Sequence, residues 1–360
     1  MFKSTAFTVG FFVAVVAAPR TWACSFCLPD LNESLLNRVD SAGAAVMAEL
    51  IRLPDPNEKH PVSSYRVTVV LKGDANQGES IDVPLDVRSP LGSVHLFFGD
   101  TTTDVWQNPR GVSREARSFL ELASKLPAID DESSLDDRTQ RLAFMLPYLI
   151  SKDGQIANSV YGEFAAAPDA AVKQLRPILN HRKLKAWIEL EPVSRKHRRL
   201  MYVLLGVCGT EEDTEFVKAA LDDRMQSEEF FELDAIIATY LTLSGDEGLD
   251  EIDRRLLKPT EVSQEARRAT AIALRFHVDN GTVIKKERLI ASCRLLLTDP
   301  NSADYVIADL VRWKDWDSLD AVLKLRSQAE ENRWLEQPIR EYLQACPLPA
   351  ARMAVAASNP

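Results

Sequence analysis

The segment Cys24-Ser25-Phe26-Cys27 holds the two side chains whose type and spacing point most directly to chemistry. Two thiols separated by two residues can close a small disulfide, exchange with other disulfides, or supply half of a metal site. Thiol exchange of the thioredoxin kind needs a preceding strand and a helix that carries the motif, whereas this pair precedes every strand-like run of the chain. A c-type haem needs His at position 28, where Leu28 stands. A zinc centre needs a second pair, and no other CxxC and no HxxxH occurs. Cys24 and Cys27 are therefore expected to be a structural or redox pair, with no metal and no cofactor.

Two further groups are candidates for interaction. Arg195, Lys196, Arg198 and Arg199 form the densest basic run, and with Arg182, Lys183 and Lys185 they make a local cationic patch that an anionic polymer or a protein could use. The alternative is a solvated helix face. Trp313 and Trp316, set among Arg312, Lys314, Asp315 and Asp317, could form a binding hot spot or seal the space between helices. Asp130-Asp131-Glu132 and Asp136-Asp137 make an acidic loop, expected to be solvated rather than calcium-binding. Nucleophile-elbow, Walker, HExxH and EF-hand motifs are absent, and the five histidines are scattered. No catalytic residue is assigned, and the balance leans away from an enzyme.

The elements that position these residues begin with an export signal over 1–23. Lys3 supplies the positive start, and Ala6–Ala18 is an apolar run too short for the ~20 residues of a membrane-spanning helix. Thr21 and Ala23 place small residues before a cut that would leave Cys24 first. Loss of Lys3 and Arg20 would take the net charge from −10 to −12, which argues against nucleic acid as a partner. A mature N-terminal cysteine raises lipidation, but Thr21 and Trp22 depart from a lipobox. The expected location is periplasmic or extracellular, with no transmembrane span in the mature chain.

Residues 24–110 read as a small β-barrel. After an amphipathic helix over 29–38, strand patterns cover 44–53, 64–72, 80–87 and 93–98, with a short last one at 104–106. Five short strands suit a closed or partly open barrel such as the OB fold. The N-terminal cysteine motif, Ala44-Ala45-Val46-Met47-Ala48-Glu49-Leu50 and Tyr65-Arg66-Val67-Thr68-Val69-Val70-Leu71-Lys72-Gly73 resemble the netrin-like, or TIMP-like, barrels. That resemblance implies an N-terminal cysteine able to chelate a protease's zinc, and Cys24 matches by position. The later cysteine partners of that family have no counterpart in this stretch.

Residues 111–348 read as an all-α repeat, with 349–360 as a tail. From Ser113, an expected N-cap, helical periodicity dominates. Beyond residue 200 an apolar helix, a polar or Gly-containing turn and a second amphipathic helix recur. The anchors Leu205, Leu241, Leu274, Leu310 and Leu343 are separated by 36, 33, 36 and 33 residues. The pattern resembles HEAT-like and armadillo-like α-solenoids. Three residues after each anchor stand Cys208, Ser244, His277, Trp313 and Cys346, one per unit. Stacked helices lie ~8–10 Å apart, so Cys208 and Cys346 should lie far beyond the ~7 Å that a disulfide tolerates.

As a whole the chain resembles an uncharacterised family of exported bacterial proteins, through Ala23-Cys24-Ser25-Phe26-Cys27, Arg141-Leu142-Ala143-Phe144, Leu205-Gly206-Val207-Cys208-Gly209, Ala273-Leu274-Arg275-Phe276-His277, Arg312-Trp313 and Ala345-Cys346-Pro347-Leu348-Pro349. No activity comes with that resemblance. The expected function is an exported non-enzymatic scaffold for a protein or cell-envelope polymer. The alternatives are a thiol–disulfide protein using Cys24 and Cys27, and a protease-inhibitor-like barrel using the Cys24 N-terminus.

Overall fold

The computed structural model describes residues 34–357, except 56, 85–88, 100–104, 108, 131, 191–192 and 329–331. The chain starts with helix α1 (Leu35–Ser41), whose N-cap Ser34 accepts a hydrogen bond from the Asn37 amide. Five antiparallel strands follow: β1 (Ala44–Arg52), β2 (Ser63–Lys72), β3 (Ser80–Val83), β4 (Val94–Gly99) and β5 (Arg110–Gly111). They form one sheet in the order β3-β2-β1-β4-β5. No ladder joins the edge strands β3 and β5 among the described residues, so hydrogen bonding leaves the sheet open where a barrel would close it. Of the strand expected at 104–106, residue 104 lies outside the described residues, and Trp106 makes a single bridge to Gly99. Its indole occupies the space of a Gly99 side chain, since a Cβ there would lie 2.9 Å from the ring.

The central strand β1 is covered on both faces. Val46, Ala48 and Leu50 pack with Tyr65, Val67, Ile81, Val83 and Phe97 in a small apolar cluster. Ala45 and Met47, with Leu96 and Phe98, belong to the same apolar cluster as the helices that follow. The sheet is thus seated on the helical region through a shared core.

The helices are α2 (Arg114–Ala123), α3 (Leu135–Met145), α4 (Gly154–Ala166), α5 (Asp169–Gln174), α6 (His181–Ile188), α7 (Arg195–Cys208), α8 (Thr214–Ser227), α9 (Leu233–Ile252), α10 (Gln264–Asn280), α11 (Lys286–Arg294), α12 (Pro300–Arg312), α13 (Leu319–Arg326), α14 (Glu336–Ala345) and α15 (Pro349–Ala356). Local sequence sets their starts. Ser113 caps α2, Ser194 caps α7 and Ser263 caps α10, each through its hydroxyl. Ser134 and Asp137 form a capping box that opens α3, so part of the acidic loop serves as a helix start. In α9 the chain bends at Gly245, whose φ of +59° and ψ of −139° suit glycine alone.

The anchors Leu205, Leu241, Leu274, Leu310 and Leu343 are buried on α7, α9, α10, α12 and α14. These helices pack in chain order: α7 on α9, α9 on α10, α10 on α12, and α12 on α14. A second helix follows each one: α8, the part of α9 beyond Gly245, α11, α13 and α15. Residues 349–356, expected in a tail, form α15 and pack on α14. No helix of the described residues is long and apolar enough to cross a membrane.

Candidate functional site

Cys24 and Cys27 lie outside the described residues. The basic run lies on α7 and reaches the start of α9. Arg195 pairs with Glu229 at 3.0 Å and Arg198 with Glu232 at 2.8 Å, while Arg199 bonds the buried Asp234. Lys196 rests over the Tyr161 ring at 5.2 Å. Burial pushes the Asp234 carboxyl up, against the opposing pull of the Arg199 charge. This run therefore fastens one repeat to the next. The Trp pair behaves alike. Trp313 donates its indole N–H to Asp279 at 2.9 Å, binding α12 to α10, and Trp316 stands edge-on to Tyr342 at 5.5 Å.

The separations of these partners carry a signal beyond the apolar anchors. Arg195–Glu229 and Arg198–Glu232 are 34 residues apart, as are Trp313–Asp279 and Arg275–Asp309. Arg199–Asp234 and Arg288–Asp253 are 35 apart, and Lys218–Glu251 is 33. Polar partners recur at the repeat period, so complementary charges one unit apart could have been found in the sequence.

Where the sheet meets the helices, Arg141 forms a buried junction. Its side chain is 4% exposed and grips Glu163 through two hydrogen bonds of 3.0 Å, from Nε and Nη2. A third guanidinium nitrogen pairs with Asp40 at 2.5 Å, and the Ser34 hydroxyl donates to Glu163. Helices α1, α3 and α4 are thereby tied at one point. A cleft of about 880 Å³ opens beside them, lined by Lys72, Asp130 and Arg138 among others. Lys72 and Arg138 donate to backbone carbonyls, of Asp40 and Asp130. Its charged groups are thus engaged in holding the joint.

Asp213 forms a second buried centre, receiving Lys185 Nζ at 2.6 Å, His181 Nδ1 at 2.8 Å and the Thr210 amide at 2.9 Å. Burial pushes its carboxyl up, but Lys185, Thr210 and His181 together hold it well below the usual range. Burial pushes Cys208 up to about 11 and raises Cys293 further, and both are free, as is Cys346. No group of three or more His, Cys, Asp or Glu suited to a metal occurs among the described residues.

A different arrangement lies among α5, α7, α9 and α10. A pocket of about 290 Å³ has walls of Val203, Gly206 and Val207 from α7, Ala238, Thr239 and Thr242 from α9, and Phe276 and His277 from α10. Val283 stands at its edge, half exposed. Asp169, Lys173 and Arg176 line it from α5 and the turn that follows. Lys173 is held by Asp169 at 2.6 Å and by the Asn280 carbonyl at 2.7 Å. Exposed Arg176 makes no side-chain ion pair or hydrogen bond among the described residues. His277 is 2% exposed and donates Nε2–H to the Ala238 carbonyl at 2.8 Å. Its Nδ1 has no partner among the described residues. Burial depresses the ring to about 4, so it is neutral and Nδ1 presents a lone pair.

No family model, no curated protein and no solved structure matches the chain.

Proposed function

We propose that the chain is an exported, non-enzymatic binding protein, with an OB-like domain over 24–110 and a HEAT-like solenoid over 111–348. It holds a protein or cell-envelope partner on the face of the helical stack that carries the pocket. The observation behind this reading is the pocket itself: apolar walls, and, among the described residues, an unpartnered buried acceptor and an unpaired cation at its rim. Such a concave, mostly apolar space with a few converging polar groups is the usual form of a ligand site. The ordered packing of first helices in chain order supports the solenoid, and the two-sided burial of β1 supports a curled, OB-like sheet.

The test uses the full chain in producing cells, with a photo-crosslinking amino acid at Val283 on the pocket rim or at exposed Val105 beside the sheet. A discrete adduct from Val283, abolished by Gly206→Leu within the pocket and unchanged by Cys24→Ser with Cys27→Ser, is the expected result. An adduct that requires the two cysteines, or one formed at Val105 alone, would move the function to the thiol pair or to the sheet.

A further inference from the structure

We infer that the pocket among α5, α7, α9 and α10 takes an N-acylated apolar amino acid, either free or as the C-terminal residue of a peptide, an assignment that rests on the binding role proposed above. Three features select that chemistry. The walls from Val203, Val207, Phe276 and Val283 suit an apolar side chain. Arg176, exposed at the rim and without a side-chain partner among the described residues, supplies a cation for a carboxylate, and a guanidinium can grip one through two hydrogen bonds. His277 Nδ1 supplies an acceptor for an N–H.

The last feature is the most selective. Nε2 of His277 is committed as a donor to the Ala238 carbonyl, so the neutral ring can only accept at Nδ1. A Cβ on Gly281, itself part of the pocket wall, would lie 2.9 Å from Nδ1. It would also lie 2.6 Å from the His277 carbonyl oxygen, so glycine keeps this part of the wall clear of a side chain, although Nδ1 itself is buried. A buried acceptor without a donor is costly, and a ligand N–H removes that cost. The hydroxyls of Thr239 and Thr242 are spent as donors on the carbonyls of Ala235 or Tyr202 and of Ala238, so any further bond from these wall residues is as an acceptor. The pocket therefore favours a ligand with a donor inside and an anion outside. Its volume of about 290 Å³ lies at the small end of ligand sites and fits one residue rather than an extended peptide.

The experiment is calorimetric titration of the full chain with N-acetyl-L-leucine, N-acetyl-L-leucinamide and a pentapeptide ending in leucine. N-acetyl-L-leucine should bind with a Kd of about 0.1–1 mM, a range that fits its ~12 non-hydrogen atoms. The amide, which lacks the carboxylate, should bind at least ~10-fold more weakly, and Arg176→Gln should lose the same factor. Tighter binding of the pentapeptide would identify a protein C-terminus as the source, and equal binding a free metabolite.

Gly206→Ala guards against misfolding as an explanation. A Cβ there meets Thr239 and Thr242 oxygens at 3.7 Å, an ordinary contact, and replaces glycine within a helix. It should raise the melting temperature while weakening the ligand. Equal binding of acid and amide, or binding unaffected by both Gly206→Ala and Arg176→Gln, would overturn the assignment. Absence of binding by all three ligands alongside a Val283 adduct sensitive to Gly206→Leu would refute this ligand class and leave the binding role standing. Loss of that adduct as well would refute both.

Discussion

Replacing His277 by Gln tests whether the pocket histidine is held neutral by the fold. The ring is 2% exposed, and burial depresses it from 6.5 to about 4, partly offset by the hydrogen bond to the Ala238 carbonyl, with Lys173 adding a small depression. Because the folded value lies below the unfolded one, the unfolded chain binds the proton first. Stability is therefore full above pH 6.5 and falls as the pH drops toward 4. At 1.36 kcal/mol per pH unit, the shift corresponds to a loss of ~3 kcal/mol across that window. Gln can still donate an N–H toward the Ala238 carbonyl but does not titrate. The assay is urea unfolding of both proteins from pH 7.5 to 4.5. The carboxylates are shared, so subtracting the two curves removes their contribution. Over that range the wild type should lose ~2.5 kcal/mol more than the variant. Parallel curves would refute the reasoning, because they would mean that the ring is protonated or exposed in the folded state.

Three other perturbations have defined outcomes. Arg141→Met leaves Glu163 and Asp40 without their buried counter-charge and should cost ~3–5 kcal/mol in urea unfolding, with much of the loss recovered by adding Glu163→Leu. Asp279→Asn removes the ion pair with Arg312, which is half exposed, and should cost under ~1 kcal/mol, read by thermal unfolding. Gly99→Ala drives a methyl into the Trp106 ring and should cost ~1–3 kcal/mol, with a change in tryptophan emission.

Local signals in the sequence were strong where they belonged to one element. Ser113 caps the helix it was expected to start, and the five leucine anchors lie on successively packed helices. In the unit anchored by Leu241, the expected Gly-containing turn is the bend at Gly245. Legibility ended where a residue's role depends on a neighbour. β1 is apolar on both faces because it is central and seated on helices, so its apolar run did not reveal which face meets which core. Whether the sheet closes or stays partly open depends on pairing of short edges, which alternation does not encode. The basic run at 195–199 looked like a surface patch because its partners lie one repeat away. His277 was placed at its repeat position, but its donor bond to Ala238 and its buried, unpartnered Nδ1 among the described residues arise from the packing of α10 on α9. Arg141, Glu163 and Asp40 converge from three helical regions and share no local motif.

The most direct measurement is the ¹⁵N resonance of His277 Nδ1 in the full chain, recorded at pH 7 during titration with N-acetyl-L-leucine. The free protein should show an unprotonated Nδ1, and the resonance should move to a saturating limit as the ligand N–H bonds to it. Gly206→Leu should abolish the movement without altering the free-state position of the Nε2 resonance. A Nδ1 that carries a proton in the free protein, or one that stays fixed while the ligand binds, would contradict the pocket as the site of recognition.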